Sequence, residues 1–129
     1  MISIIEKEGS VENFDFAVKL YKDGHRCGYV RIPENHPLYN QDYSKIDVEC
    51  HGGLTFSKLI TIENSFLPKG FWIGFDCQHC FDLPDVESVK KVWGKYEEND
   101  YWGWGDGEVR SLDYVESECR GIINQIKTM

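Results

Sequence analysis

Residues 14–32 constrain the fold of this chain more than any other segment. The first part of the segment carries apolar side chains at every second position, as a half-buried strand requires; these are Phe14, Phe16, Val18 and Leu20. The letters KDGH at 22–25 then supply the Asp-Gly chemistry of a tight turn, and CGYVRI at 27–32 returns as a second strand. The sequence therefore predicts an antiparallel hairpin as the first element of the fold.

Further apolar segments are also predicted to be strands. Residues 46–50 and 54–57 are short, and 59–62 extend the second of them. The run GFWIGFDC at 70–77 is hydrophobic on both faces, so we expect it to be the central strand. Residues 33–43 contain two prolines and several polar side chains, which indicates a long surface loop.

Two helices follow the strands. Asp85 can cap a helix that continues to about Tyr96, and Ser111 can cap a second helix whose apolar stripe reaches Ile126. Strands first and helices last are typical of the α+β class. The 129 residues suit one domain with a curved antiparallel sheet, and we expect both C-terminal helices to pack on one face of that sheet.

The charge of the chain excludes one class of partner. A formal net charge of −8 argues against a surface for duplex nucleic acid, which requires a basic face. No run is long and apolar enough to span a bilayer, and the first residues lack a basic region followed by an apolar signal core. We therefore expect a cytoplasmic protein that does not bind membranes.

The five cysteines are expected to be reduced thiols. An odd number without an export signal fits poorly with a disulfide framework. The CQHC segment at 77–80 also suggests a redox pair or half a zinc site. A redox pair normally opens a helix in a βαβ unit, and zinc requires further ligands such as His51, so plain thiols are preferred.

Polar residues gather where two predicted strands end. The glycines of HGGLT at 51–55 permit a close approach of the backbone to a ligand, although Gly-Gly is more often a simple turn or bulge. Asp76 interrupts an apolar run, and a buried carboxylate must be paired or face a pocket. We predict that Trp72 or the aromatic loop at 101–104 forms the wall of one pocket. The pocket itself is predicted to be lined by His51, Gly52, Gly53, Thr55, Asp76 and His79.

A glycine-rich aromatic segment precedes the last helix. Tyr101, Trp102 and Trp104 are suited to stacking on a flat ring, and Arg110 just beyond them is suited to a phosphate. Tryptophans in such a loop also commonly fold back onto the core. If Trp102 and Trp104 are exposed, their burial would favour a homo-oligomer.

A catalytic alternative uses an overlapping set of side chains. His51, Asp76, His79 and Asp82 together have the composition of a metal-assisted hydrolase site. Their spacing matches no hydrolase motif, so the sequence favours binding over catalysis and predicts no cofactor, no resident metal and no catalytic residue.

The same motifs resemble a group of small phage and prophage proteins. The resemblance runs from about Cys27 to Ile126 and rests on GYVRIP at 28–33, HPL at 36–38, HGGLTF at 51–56 and GFDCQH at 74–79. The HGGLT block is its most specific part, and Cys80 stands where the pattern leads us to expect a small residue. The resemblance implies a viral accessory protein.

By analogy with other compact phage proteins, such a protein is expected to act in counter-defence. It would sequester a nucleotide-derived immune signal, such as a cyclic nucleotide or an ADP-ribose derivative, in the host cytoplasm and leave it uncleaved. A metal-dependent hydrolase or phosphodiesterase acting on the same signal is the first alternative. A protein-binding inhibitor of a host factor is the second.

Overall fold

The computed structural model describes residues 2–97 and 107–129. Five strands form one antiparallel sheet in the order β1-β2-β3-β5-β4. The strands are β1 (Ser3–Val11), β2 (Phe14–Tyr21), β3 (Arg26–Ile32), β4 (Phe56–Ile60) and β5 (Gly70–Asp76). A two-stranded parallel ladder joins β6 (Asp82–Leu83) to β7 (Glu108–Val109). The predicted antiparallel sheet of an α+β fold is confirmed.

The predicted hairpin is correct, but it is not the first element. It consists of β2 and β3, which pair in register from Asp15–Arg31 to Leu20–Arg26. Strand β1 precedes it and occupies the edge of the sheet. Its sequence, SIIEKEGSV, has few apolar residues because an edge strand on a partly exposed surface has little to bury.

Two other strand predictions are wrong in detail. Residues 46–50 are not a strand, because a 3-10 helix at Tyr43–Lys45 and a turn at 50–53 bracket a segment with no sheet partner. Strand β4 begins at Phe56 and ends at Ile60, so it overlaps both predicted segments, 54–57 and 59–62, but starts later and ends earlier than they do. Strand β5 lies inside the sheet, paired on both sides, but the middle position belongs to β3.

The helix caps were predicted correctly. Helix α1 (Val86–Trp93) is capped by Asp85, and α2 (Leu112–Ile126) is capped by Ser111. The first helix ends earlier than predicted, since Gly94 adopts a left-handed conformation at its C-cap. Among the described residues, no helix is long and apolar enough to cross a membrane.

Each face of the sheet carries a cluster of packed hydrophobic side chains. Helix α2 packs on one face against alternate residues of three strands: Phe14, Phe16, Val18, Val30, Ile32, Ile73 and Phe75. The other face is covered by the segment between β4 and β5, which contributes Leu67 and Phe66 to a smaller core. Lys19 is enclosed on this second face, and its ammonium donates to the Phe66 carbonyl at 2.9 Å.

The buried side chain of Arg26 connects the sheet to the segments that precede the two helices. The Arg26 guanidinium donates to both carboxylate oxygens of Glu6 at 2.6 and 3.2 Å and to Asp85 at 2.8 Å. It also donates to the backbone carbonyl of Arg110 at 3.0 Å. Because these partners come from β1, the α1 cap and the start of α2, Arg26 fixes where Arg110 lies.

Candidate functional site

Two tight turns meet beyond the end of β5. In the first, the Gly53 amide donates to the Cys50 carbonyl at 2.9 Å; in the second, the Asp82 amide donates to the His79 carbonyl at 3.0 Å. The turns are joined by His51, whose Nε2 lies 2.9 and 3.0 Å from the two carboxylate oxygens of Asp82. We call this region the two-turn site and define it as His51, Thr55, Asp76, His79, Asp82, Arg110 and Tyr114.

The Asp82 carboxylate is the centre of the site. Its side chain is 1% exposed and accepts hydrogen bonds from His51 Nε2, from Arg110 Nε at 2.8 Å and from the His79 amide at 2.9 Å. Burial acts to raise the pKa of Asp82, but the bonds from Arg110 and His51 outweigh it and hold the pKa below its ordinary value. Asp82 is therefore an anion at neutral pH.

The His51 ring is held from both sides. Its Nδ1 lies 2.8 Å from the Tyr114 hydroxyl, and its backbone amide donates to Glu118 at 2.6 Å. In the tautomer whose Nε2–H donates to Asp82, Nδ1 is the acceptor for the Tyr114 hydroxyl. Burial, with a further contribution from Glu118, raises the pKa of Tyr114 and keeps its phenol protonated as that donor. Both nitrogens of the imidazole are thus engaged within the protein.

The outer part of the site is open to solvent. Asp76 accepts from the Thr55 hydroxyl at 3.0 Å and lies 3.3 Å from His79 Nε2. The side chains of Asp76 and His79 are 30% and 37% exposed. The rings of His51 and His79 are 5.8 Å apart between centroids, so the inner and outer groups form one continuous surface.

The two glycines of the HGG motif have different roles. Gly52 has a φ of +69°, which favours glycine, and a Cβ on it would displace the His79 ring from its present position. Gly53 has a φ of +81° with open space around it, so only conformation requires glycine there. The motif is therefore a turn that allows His79 to lie directly over it.

Most of the predicted site residues lie together. The two turns, the adjoining strand ends and the start of α2 bring the following residues into one region: His51, Gly52, Gly53, Thr55, Asp76, His79 and Arg110. The expectation for Trp72 needs correction, because its ring is 2% exposed in the second core and its Nε1 donates to the Pro68 carbonyl at 2.8 Å. The predicted contributions of Tyr101, Trp102 and Trp104 lie outside the described residues.

The sequence interpretation missed Tyr114 and Glu118 and gave Asp82 only a metal-binding or acid-base role. Tyr114 and Glu118 are one helical turn apart on α2, and both contact His51. That spacing of four was the only available signal, and it is common on helix surfaces. Asp82 was recognised as a polar loop residue, but its pairing with Arg110 joins positions 28 residues apart and has no local signature.

The proposed metal ligands bond to one another instead of surrounding a common point. His51 pairs with Asp82, and His79 pairs with Asp76. Within residues 2–97 and 107–129, no three His, Cys, Asp or Glu side chains are grouped as a metal ion requires. All five cysteines are free thiols, with Cys77 buried and Cys80 exposed.

Comparison of the chain with protein-family models, with curated proteins and with solved structures finds no match. The resemblance to small phage proteins therefore stays a prediction from the sequence motifs.

Proposed function

We propose that the two-turn site binds a nucleotide-derived immune signal, a cyclic nucleotide or an ADP-ribose derivative, and holds it without cleaving it. The observation that carries the proposal is that both ring nitrogens of His51 are engaged, by Asp82 and by Tyr114. A histidine held in this way has neither ring nitrogen open to a water or a metal ion unless one of these two partners is displaced. It instead makes the site rigid, which favours binding by a preorganised surface.

The exposed groups of the site suit a sugar or base edge. The Asp76 carboxylate can accept from a ribose hydroxyl or an exocyclic amine, and the Thr55 hydroxyl beside it can donate or accept. Both groups face solvent, so a ligand reaches them without opening the core.

Arg110 can meet a phosphate once one protein partner is displaced. Its Nε is bound to buried Asp82, but its Nη1 pairs at 3.1 Å with Glu108, whose side chain is 78% exposed. Exposed ion pairs contribute little, so an anionic ligand can replace Glu108 at low cost. Arg110 thus keeps its position through Asp82 while it offers its outer edge to the ligand.

We propose further that the protein acts as a phage counter-defence factor in the host cytoplasm and that it removes the signal by mass action. Support for this role comes from the sequence motifs and from a site suited to holding a ligand. Self-association into a homo-oligomer remains part of the same proposal. Hydrolysis of the signal and inhibition of a host protein are the alternative outcomes of the tests.

The first test is retention of a defined panel of nucleotides. The panel contains cyclic AMP, cyclic di-AMP, cyclic di-GMP and ADP-ribose, each incubated with the protein before gel filtration. We expect at least one of them to co-elute with the protein and to appear in solution after heating. If none is retained, the proposal fails and a protein partner becomes the better hypothesis.

Variants of the exposed groups test where the ligand binds. Asp76→Ala combined with Thr55→Val should weaken retention, because the ligand loses its hydrogen-bond partners while buried Asp82 is untouched. Glu108→Gln should strengthen retention of an anionic ligand, because the competitor for Arg110 loses its charge. Arg110→Ala is a poor probe, since it would leave the buried Asp82 carboxylate without its cation. Equal retention by all these proteins would place the ligand elsewhere.

A further inference from the structure

The second turn of the site holds an aromatic residue in an unfavourable backbone conformation. Phe81 occupies the third position of the His79–Asp82 turn with a φ of +76°. That position of a turn with positive φ normally takes glycine, because a Cβ is crowded there. In the facing turn, the corresponding third position is Gly52, with a φ of +69°. The chain thus uses glycine in one turn and phenylalanine in the other.

The surrounding structure enforces this conformation. The Phe81 carbonyl accepts from the Glu108 amide at 2.9 Å, and the Asp82 carboxylate binds the His79 amide at 2.9 Å. The backbone of Gly107 packs so closely on Phe81 that a Cβ on Gly107 would overlap the Phe81 carbonyl. The turn is therefore fixed at both ends of its short sequence.

Core packing does not explain why this position is phenylalanine. The Phe81 side chain is 63% exposed, among the most exposed of the large hydrophobic residues described. The unfavourable φ and the exposure of an apolar ring to water each reduce the stability of the fold. Such residues are found at functional sites. Phe81 belongs to the same turn as His79 and directly precedes Asp82, so its exposed ring is part of one of the two turns that form the site.

We propose that the Phe81 ring is the surface on which the planar base of the bound nucleotide stacks, an inference that rests on the function proposed above. An aromatic face accepts any base, and Asp76 at the end of β5, with the Thr55 hydroxyl bonded to it, offers partners for polar edges of the ligand. An aliphatic side chain would be as apolar but would lack the flat face. The ring therefore supplies the stacking group that buried Trp72 cannot supply.

The test separates the ring from the backbone strain. Phe81→Gly removes both, Phe81→Leu removes only the aromatic face, and Phe81→Tyr keeps the face. We expect the glycine and leucine variants to bind ADP-ribose or cyclic di-AMP about 5- to 150-fold more weakly, equivalent to ~1–3 kcal/mol, and the tyrosine variant to bind as the wild type does. The glycine variant should unfold at the same or a higher temperature, since glycine relieves the strain.

A matched control comes from the opposite end of the sheet. Glu12, in the turn between β1 and β2, is exposed and also has a positive φ, +56°. Glu12→Gly should raise stability in the same direction and leave nucleotide retention unchanged.

Two results would overturn the inference. If the wild type retains either nucleotide and both Phe81→Gly and Phe81→Leu retain it equally well, the stacking role is wrong and the proposed function survives. If the wild type retains no nucleotide of the panel, the stacking role and the proposed function fail together. Because Phe81→Leu keeps the Cβ and the apolar character, it decides the outcome even if the glycine variant folds poorly.

Discussion

Asp82→Ala should be the most damaging single change at the two-turn site. The substitution removes the acceptor for His51 Nε2, for Arg110 Nε and for the His79 amide. It leaves the guanidinium of Arg110 next to an empty space and frees the turn that carries His79. The three lost bonds connect β6 to the 50–53 turn, to the segment that precedes α2 and to the turn after β5, so their loss should reduce the stability of the whole fold.

The size of the effect follows from burial. Removing one partner of a buried ion pair costs about 3–5 kcal/mol in the free energy of unfolding. The Arg110 side chain is 20% exposed and keeps its contact with Glu108, so part of its hydration is recovered. We therefore expect a loss of about 2–4 kcal/mol, which a domain of ordinary stability, about 5–15 kcal/mol, survives.

Urea denaturation followed by circular dichroism measures this loss. With a slope of about 1–3 kcal/mol per molar urea, the midpoint of Asp82→Ala should fall by roughly 0.7–4 M. Glu108→Ala is the matched control, because Glu108 also binds Arg110 but is 78% exposed. The free energy of unfolding of Glu108→Ala should differ from the wild-type value by less than about 0.5 kcal/mol, so its urea midpoint should hardly move. Equal midpoints for the two variants would refute the claim that Asp82 organises the site.

Three further predictions concern pH, the glycine turn and the buried lysine. The lowered pKa of Asp82 stabilises the fold above about pH 4, so the stability gap between wild type and Asp82→Ala should close as acid titration passes through the folded pKa; a constant gap would contradict the ionised carboxylate. Gly52→Ala should lower the free energy of unfolding by more than the ~1 kcal/mol expected from backbone conformation alone, because its Cβ meets His79. In the same urea assay, its loss should exceed that of Gly53→Ala. Burial lowers the pKa of Lys19, so the free energy of unfolding of Lys19→Met should lie within about 1 kcal/mol of the wild-type value or above it. Lys19→Ala, which also removes the buried side-chain stem, should lower that free energy by about 2–4 kcal/mol; equal losses would contradict a packing role of the stem.

Local chemistry explains which parts of the fold could be predicted from the sequence. The β2–β3 hairpin follows from alternation and an Asp-Gly turn, and both helix caps follow from Asp85 and Ser111. Strand β1 was missed because it is polar and gains its structure from pairing with β2, which no local pattern reveals. The segment 46–50 failed for the opposite reason, since its apolar residues pack against the core without a strand partner.

The candidate site was predictable as a location but not as a network. The HGG turn and Asp76 have local signatures, and they do lie together. The bonds from His51 to Tyr114 and Asp82 join positions 63 and 31 residues apart, and only the folded chain brings them together. Trp72 was wrongly expected at the site because an apolar strand gives no indication of which face a distant loop will cover. Phe81 was missed because its positive φ comes from contacts with Glu108 and not from its own residue type.

The chemical state of a retained nucleotide decides between sequestration and hydrolysis. The protein, purified without added metal, is incubated with ADP-ribose and cyclic di-AMP for several hours, with manganese or with a chelator, then heated and analysed by mass spectrometry. We expect the nucleotide that the wild type retains to be released with its original mass under both conditions, and Asp76→Ala combined with Thr55→Val to retain less of it. A hydrolysed product that forms with manganese and disappears with chelator would contradict binding without cleavage and would support the hydrolase.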